Sequence, residues 1–100
     1  MIKHIVCWTL KEHAEGCSKE ENLKKVKVLL EALKEKIPCI LSLEIGINIE
    51  SSPEAYDIAM YAEFDNKKEL YIYQNHTEHQ KVIQFLRKVR DKRAVVDYDA

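Results

Sequence analysis

The stretch ILSLEIGINI at residues 40–49 decides the fold, because its apolar and polar side chains alternate almost without error. Every odd position from Leu41 to Ile49 is leucine or isoleucine, and the even positions between them are small or polar. A period of two is typical of a β-strand with one buried face. The loop ESSPEA follows, and YDIAMYAEF then predicts another strand. Two strands joined by a short loop are expected to pair as an antiparallel hairpin.

A helix is predicted before this hairpin. The segment SKEE has the form of a capping box, in which Ser18 and Glu21 satisfy each other's free backbone donors. Apolar residues from Leu23 to Ile37 then recur at three- and four-residue steps, which is the spacing of one helical face. Pro38 disfavours helical backbone at the preceding residue, so we expect the helix to end at Ile37 or just before it.

Two further helices and a strand are predicted after the hairpin. Asp65 or Asn66 is expected to cap the short helix KKELYIYQ. Thr77 and Gln80 are then expected to form a second capping box, T-E-H-Q, ahead of apolar residues at helical spacing. The final strand is RAVVDYD, whose apolar residues on one face are Ala94, Val96 and Tyr98.

The N-terminal stretch IKHIVCWTL reads as a first strand and completes the order β-α-β-β-α-α-β. This order predicts an α+β, ferredoxin-like domain over residues 1–100, with a four-stranded antiparallel sheet and helices on one face. The first strand carries apolar side chains on both faces, and the helices cover only one. A second copy of the chain is therefore expected to cover the other face, which predicts a homodimer formed through the sheets.

Composition limits the possible partners. The chain has 100 residues and a formal net charge of −1, and it contains no apolar run near the length of a membrane span. The basic segment RKVRDKR at residues 87–93 lacks interleaved aromatics and favours a solvated helix end over a phosphate-binding site. Three widely spaced cysteines favour reduced thiols, and the N-terminus does not resemble a secretory signal. We therefore predict a cytoplasmic protein without nucleic-acid or membrane partners.

The segment YQNHTEHQ at residues 73–80 contains the candidate functional residues. His79 precedes the apolar residues of its helix by three, four and seven positions, so it is expected to face inward. Its place in the first turn, together with partial burial, favours the neutral imidazole that a general base needs. Tyr73 lies across the helix junction, and His4 of the first strand is positioned to reach the same cavity.

Metal and cofactor sites are not predicted. The spacing H-T-E-H differs from the H-E-x-x-H pattern of zinc hydrolases and lacks further ligands. The chain has only two glycines and no glycine-rich phosphate loop. A nucleophilic cysteine is not predicted either, because Cys7 is expected to be buried in a strand, and Cys17 and Cys39 lie near helix ends without a nearby histidine in sequence.

The segments IKHIVCWTL, YQNHTEH and RAVVDYD, in this order and spacing, resemble the stress-responsive dimeric A/B barrel domain, called Dabb, over essentially the full chain. The resemblance implies a ferredoxin-like protomer that dimerises through its sheets into an α/β barrel. The family's usual central motif is H-P-x-H, and here Thr77 stands in place of the proline.

In the aromatic-polyketide cyclase branch of that family, the tyrosine and the second histidine of the motif form a catalytic pair, and they match Tyr73 and His79 here. The resemblance thus implies that His79 takes a proton from a carbon next to a carbonyl, while Tyr73 donates a hydrogen bond to the carbonyl oxygen. His4 and His76 are further candidates for ligand binding. The alternative for all four residues is a structural role as hydrogen-bonded side chains.

Three functions are consistent with these observations. The first is a homodimer of the Dabb type, related to stress by resemblance, that binds a small and partly apolar ligand. The second is an enzyme of the cyclase or isomerase type. The third is a structural or oligomer-forming protein without a ligand. An enclosed, partly apolar cavity that both Tyr73 and His79 face would favour the first two, whereas packed side chains there would favour the third.

Overall fold

The computed structural model describes residues 1–100 and confirms the predicted order of elements, with one added hairpin and one break in the first helix. The strands are β1 Ile2–Leu10, β2 His13–Ala14, β3 Cys17–Ser18, β4 Ser42–Ile47, β5 Ile58–Phe64 and β6 Arg90–Asp99. The helices are α1 Lys19–Glu31, α2 Leu33–Lys36, α3 Lys67–Asn75 and α4 Thr77–Val89. The added hairpin pairs β2 with β3.

The main sheet has the strand order β4-β5-β1-β6, and all neighbouring strands are antiparallel. The register places Val6 of β1 opposite Met60 of β5 and Val95 of β6, so these three side chains share one face. Alternate residues of β1 are buried on that face against the helices, where 19 buried apolar residues form a single core. The predicted ferredoxin-like α+β fold is confirmed.

The strand β4 is shorter than the alternating stretch at residues 40–49 that predicted it. β4 ends at Ile47, which pairs with Ile58, the first residue of β5. Ile49 lies beyond this last pair and is 93% exposed, and Leu41 lies before the strand and is 49% exposed. The expectation that both belong to a buried face is therefore wrong, because the length of the partner strand limits the burial.

The first helix begins and ends as predicted. The Ser18 hydroxyl accepts a hydrogen bond from the Glu21 amide at 3.2 Å, and the Glu21 carboxylate accepts one from the Ser18 amide at 2.9 Å. Helical structure is interrupted at Ala32 and resumes in the single turn of α2. Ile37 has extended backbone angles, as expected for a residue that precedes a proline.

The second face of the sheet carries no helix. It presents Val96 and Tyr98 of β6, which are 58% and 44% exposed. It also carries a polar cluster in which the Tyr61 hydroxyl donates to the Glu63 carboxylate at 2.6 Å, and the Lys3 ammonium donates to the Tyr61 hydroxyl at 3.1 Å. The uncovered face is therefore mixed in character.

Candidate functional site

The candidate site is built around the junction of α3 and α4. The predicted cap of α3 is confirmed, because the Asn66 side chain accepts a hydrogen bond from the Glu69 amide at 3.0 Å. The predicted capping box of α4 is wrong. His76 occupies the capping position, where its Nδ1 accepts from the Glu78 amide at 3.1 Å, and Thr77 is already the first helical residue. The imidazole of His76, one residue before Thr77, thus accepts the capping hydrogen bond that the threonine hydroxyl was expected to accept.

The carbonyl of Gln74, near the end of α3, orients His79. It accepts hydrogen bonds from His79 Nδ1 at 2.9 Å and from the Gln80 side-chain amide at 2.7 Å. A carbonyl oxygen only accepts, so His79 Nδ1 carries a proton in this arrangement. The neutral ring therefore leaves Nε2 with a free lone pair that is available to accept a proton or a hydrogen bond.

The surroundings of His79 favour this neutral form. Burial lowers the pKa of its imidazole below the ordinary value of 6.5, and the nearby His4 and Arg93 lower it further. The hydrogen bond to Gln74 acts in the opposite direction without cancelling these effects. At neutral pH the side chain is therefore uncharged, which is the form that a general base needs.

Tyr73 lies against His79 and is fully buried. The centroids of the two rings are 4.4 Å apart, and the Tyr73 hydroxyl contacts the sulfur of Met60 at 3.7 Å. Burial raises the pKa of the phenol far above its usual value, with a smaller opposing effect from Arg93. Tyr73 is therefore a neutral side chain whose hydroxyl points into the core.

His4 lies next to Tyr73, with its ring centroid 6.0 Å from the tyrosine ring in an edge-on arrangement. It is only 2% exposed, and its Nδ1 is paired with the Asp97 carboxylate of β6. His79, Tyr73 and His4 thus form a continuous row from the surface of α4 into the core and on to β6.

A cavity of about 240 Å³ lies in front of His79. Its lining residues come from β1, α4 and β6, and they are Trp8, His79, Gln80, Ile83, Leu86, Arg87, Arg90 and Arg93. His79 is the only one of the four predicted site residues that reaches it. Tyr73 and His4 are buried and do not line the cavity, and His76 caps α4. The other surface concavities contain none of the four.

Sequence reasoning missed Asp97 and the role of the basic segment. Asp97 meets His4 only because of the register between β1 and β6, which local sequence does not specify. The segment at residues 87–93 is mostly exposed at the end of α4, as expected of a solvated helix end, and its three arginines also line the cavity. The available signal was that these are the only arginines in the chain.

Three further features bear on the class of site. No group of three or more His, Cys, Asp or Glu side chains is placed to hold a metal ion. None of the four helices has the length and apolar character needed to cross a bilayer. The three cysteines are free and partly buried.

The four-stranded antiparallel sheet with its helices on one face defines a ferredoxin-like domain. The model of the stress responsive A/B barrel domain, Dabb, matches residues 2–100. The chain therefore belongs to the Dabb family, which confirms the resemblance seen in its sequence. No curated protein matches the sequence.

Solved structures agree with this assignment. A dimeric protein of unknown function with a ferredoxin-like fold from Bacteroides fragilis is 34% identical, with a TM-score of 0.83 and coverage of 99% of this chain and 95% of that one. A dimeric ferredoxin-like protein from Thermobifida fusca is 20% identical, with a TM-score of 0.85 and coverage of 99% and 90%. A hydroxynitrile lyase from Passiflora edulis is 13% identical, with a TM-score of 0.81 and coverage of 97% and 90%. The last two show the fold alone.

Proposed function

We propose that this Dabb-family protein binds a small, partly apolar ligand in the cavity in front of His79. The cavity carries the proposal, because it joins an apolar wall of Trp8, Ile83 and Leu86 to a neutral imidazole with a free Nε2. Concave sites that combine apolar lining with a few polar groups are the usual form of ligand pockets. Its volume of about 240 Å³ lies just below the roughly 300–1,000 Å³ of drug-sized sites, so the ligand is a small molecule.

Thermal-shift screening with a library of small metabolite-like compounds tests this proposal. A compound that binds the cavity raises the melting temperature of the wild-type protein and loses that effect in His79→Ala. The matched control is His13→Ala, which removes an exposed histidine of β2 that does not line the cavity. Equal responses of all three proteins to every stabilising compound would remove His79 from the binding site.

An enzyme of the cyclase or isomerase type is the second candidate, favoured by the lowered pKa of His79. In such a reaction His79 Nε2 takes a proton from a carbon next to a carbonyl, and Tyr73 donates a hydrogen bond to the developing oxyanion. The Tyr73 hydroxyl instead contacts Met60, so this role needs the tyrosine side chain to turn toward the cavity. Loss of polyketone turnover in both His79→Gln and Tyr73→Phe supports the pair, and full activity in Tyr73→Phe excludes the tyrosine.

The homodimer through the uncovered sheet face is part of the proposal. The Bacteroides fragilis and Thermobifida fusca neighbours are described as dimeric, and Val96 lies opposite Ile5 on that face. A carboxylate introduced as Val96→Glu would be desolvated in a dimer, so we expect it to halve the mass found by light scattering. A wild-type monomer would contradict the dimer.

A stress-related role and a cytoplasmic location stay predictions from the sequence. A structural protein without a ligand is the conclusion if no compound binds.

A further inference from the structure

The distribution of basic residues across the molecule is uneven. The chain contains sixteen lysines and arginines, of which only Arg87, Arg90 and Arg93 are arginines. All three arginines line the cavity in front of His79, and no lysine does. Charge alone does not explain this segregation, since lysine supplies the same charge. Arginine differs from lysine by its planar fork of donors, which matches the two oxygens of a carboxylate or phosphate.

Two elements bring the three guanidinium groups to the cavity. Arg87 belongs to the last turn of α4, and Arg90 ends that helix and begins β6. Arg93 follows in β6, where the register sets it opposite Trp8 on the helix-covered side of the sheet. The arginines therefore approach the cavity from the helix end and from the sheet, around the same apolar wall.

The arginines have no anionic partner within the protein. The ion pairs of the chain are formed by lysines, by the N-terminus and by His4, and none includes an arginine. The lining of the cavity contains no carboxylate. Three cations without a counter-charge thus surround a concave space whose remaining walls are apolar or neutral. The negative end of the α4 dipole offsets part of this charge beside Arg87 and Arg90, and the remaining positive potential favours an anion.

We propose that the cavity binds a small organic anion, in which a carboxylate or phosphate group is held by Arg87, Arg90 and Arg93 and a compact apolar body packs on Trp8. This inference rests on the ligand-binding function proposed above and names the chemical class of the ligand. The side chains of Ile83 and Leu86 complete the surface for the apolar body, and His79 offers its Nε2 to a polar substituent.

The single tryptophan of the chain provides a reporter for this site, because Trp8 is 2% exposed and lines the cavity. We expect hexanoate or hexyl phosphate to change Trp8 fluorescence with a saturable dependence on concentration. The neutral analogue hexanamide is expected to need about tenfold more, since it lacks the charge that the guanidinium groups bind. Inorganic phosphate separates recognition of the anionic group alone from recognition of the whole molecule. Added salt weakens the response to the anions.

Two double variants that remove the same charge test the role of the arginines. Arg87→Gln with Arg93→Gln is expected to weaken hexanoate or hexyl phosphate binding about tenfold or more. Lys81→Gln with Lys88→Gln removes two exposed charges of α4 outside the cavity and is expected to leave binding within about twofold. If the arginine variant does not fold, Arg93→Lys retains the charge without the fork and is expected to weaken the binding severalfold.

Two results overturn the inference. Equal affinity for hexanoate and hexanamide, unchanged in the arginine variant, contradicts an anion site while leaving a ligand pocket in place. An unchanged Trp8 signal with all anions to millimolar concentration contradicts it as well. In that case, a ligand of another class found by the thermal-shift comparison of His79→Ala and His13→Ala would still support the proposed function.

Discussion

The strands β1 and β6 are neighbours in one sheet and differ almost completely in burial. Alternate residues of β1 lie in the core, whereas every residue of β6 after Arg90 is exposed. The difference arises because β1 is a central strand beneath the helices, while β6 is one of the two edge strands. On the helix-facing side β6 presents mainly charged groups, Arg93, Asp97 and Asp99, which also suit an edge that must not pair with other chains.

The two strands therefore contribute differently, β1 mainly to the stability of the domain and β6 mainly to the surroundings of the candidate site. β1 contributes the apolar surface that holds the domain together, and Trp8 forms part of both the core and the cavity wall. β6 contributes side chains that contact the candidate residues or their cavity. Asp97 pairs with His4, and Arg93 lines the cavity beside His79. Substitutions at paired positions of β1 and β6 are therefore expected to change the free energy of unfolding by unequal amounts.

The largest difference in the free energy of unfolding is expected between substitutions of Trp8 and of Arg93, which pair across β1 and β6. Trp8→Ala empties a large buried volume and lowers the free energy of unfolding by about 3–5 kcal/mol. Arg93→Ala removes an exposed side chain and changes it by less than about 0.5 kcal/mol. Urea unfolding followed by far-UV circular dichroism measures both, since the fluorescence of Trp8 is lost in one variant. A cost of several kcal/mol for Arg93→Ala would show that β6 has a structural role there.

A smaller difference is expected between two aspartates on one face of β6. Asp97→Ala leaves the imidazole of His4 buried without its partner and lowers the free energy of unfolding by about 1–3 kcal/mol. Asp99→Ala removes a carboxylate that pairs with the exposed N-terminus and changes it by less than about 0.5 kcal/mol. The same urea measurement compares the two variants. Equal costs would mean that the pair of His4 and Asp97 adds nothing specific to the link between the strands.

The contrast between β1 and β6 also marks what sequence can predict. The period of β1 and of α4 identified the inward side chains, including His79, because burial follows local periodicity. The pairs of His4 with Asp97 and Trp8 with Arg93 depend on a register that is set between distant segments. The cap of α4 was assigned wrongly, because the ring of His76 competes for a position that propensity gives to threonine.

His79 lies where the two strands meet, since the cavity that it lines includes Trp8 of β1 and Arg93 of β6. Its pKa is lowered in the folded state, so below its ordinary pKa of 6.5 the unfolded chain binds more protons than the folded one. Stability is therefore expected to fall as the pH decreases through and below 6.5. His79→Gln removes this part of the pH dependence of the urea midpoint, and His13→Gln retains it. A dependence unchanged in His79→Gln would assign the effect to another group.

The smallest effect concerns the two faces of β6. Arg93 and Lys92 are adjacent, but Arg93 faces the cavity and Lys92, opposite Thr9, faces the uncovered side of the sheet. Because the charge of Arg93 lowers the pKa of His79, Arg93→Gln is expected to raise that pKa measurably. The pKa stays below its ordinary value, since burial is the largest cause and is unchanged. Lys92→Gln removes the same charge from the other face and is expected to have a smaller effect.

Titration of the His79 ring by NMR measures both variants. An equal rise in the two would mean that the net charge of β6 contributes to the shift, whereas a rise confined to Arg93→Gln shows that the position of Arg93 beside the cavity contributes to the charge state of His79.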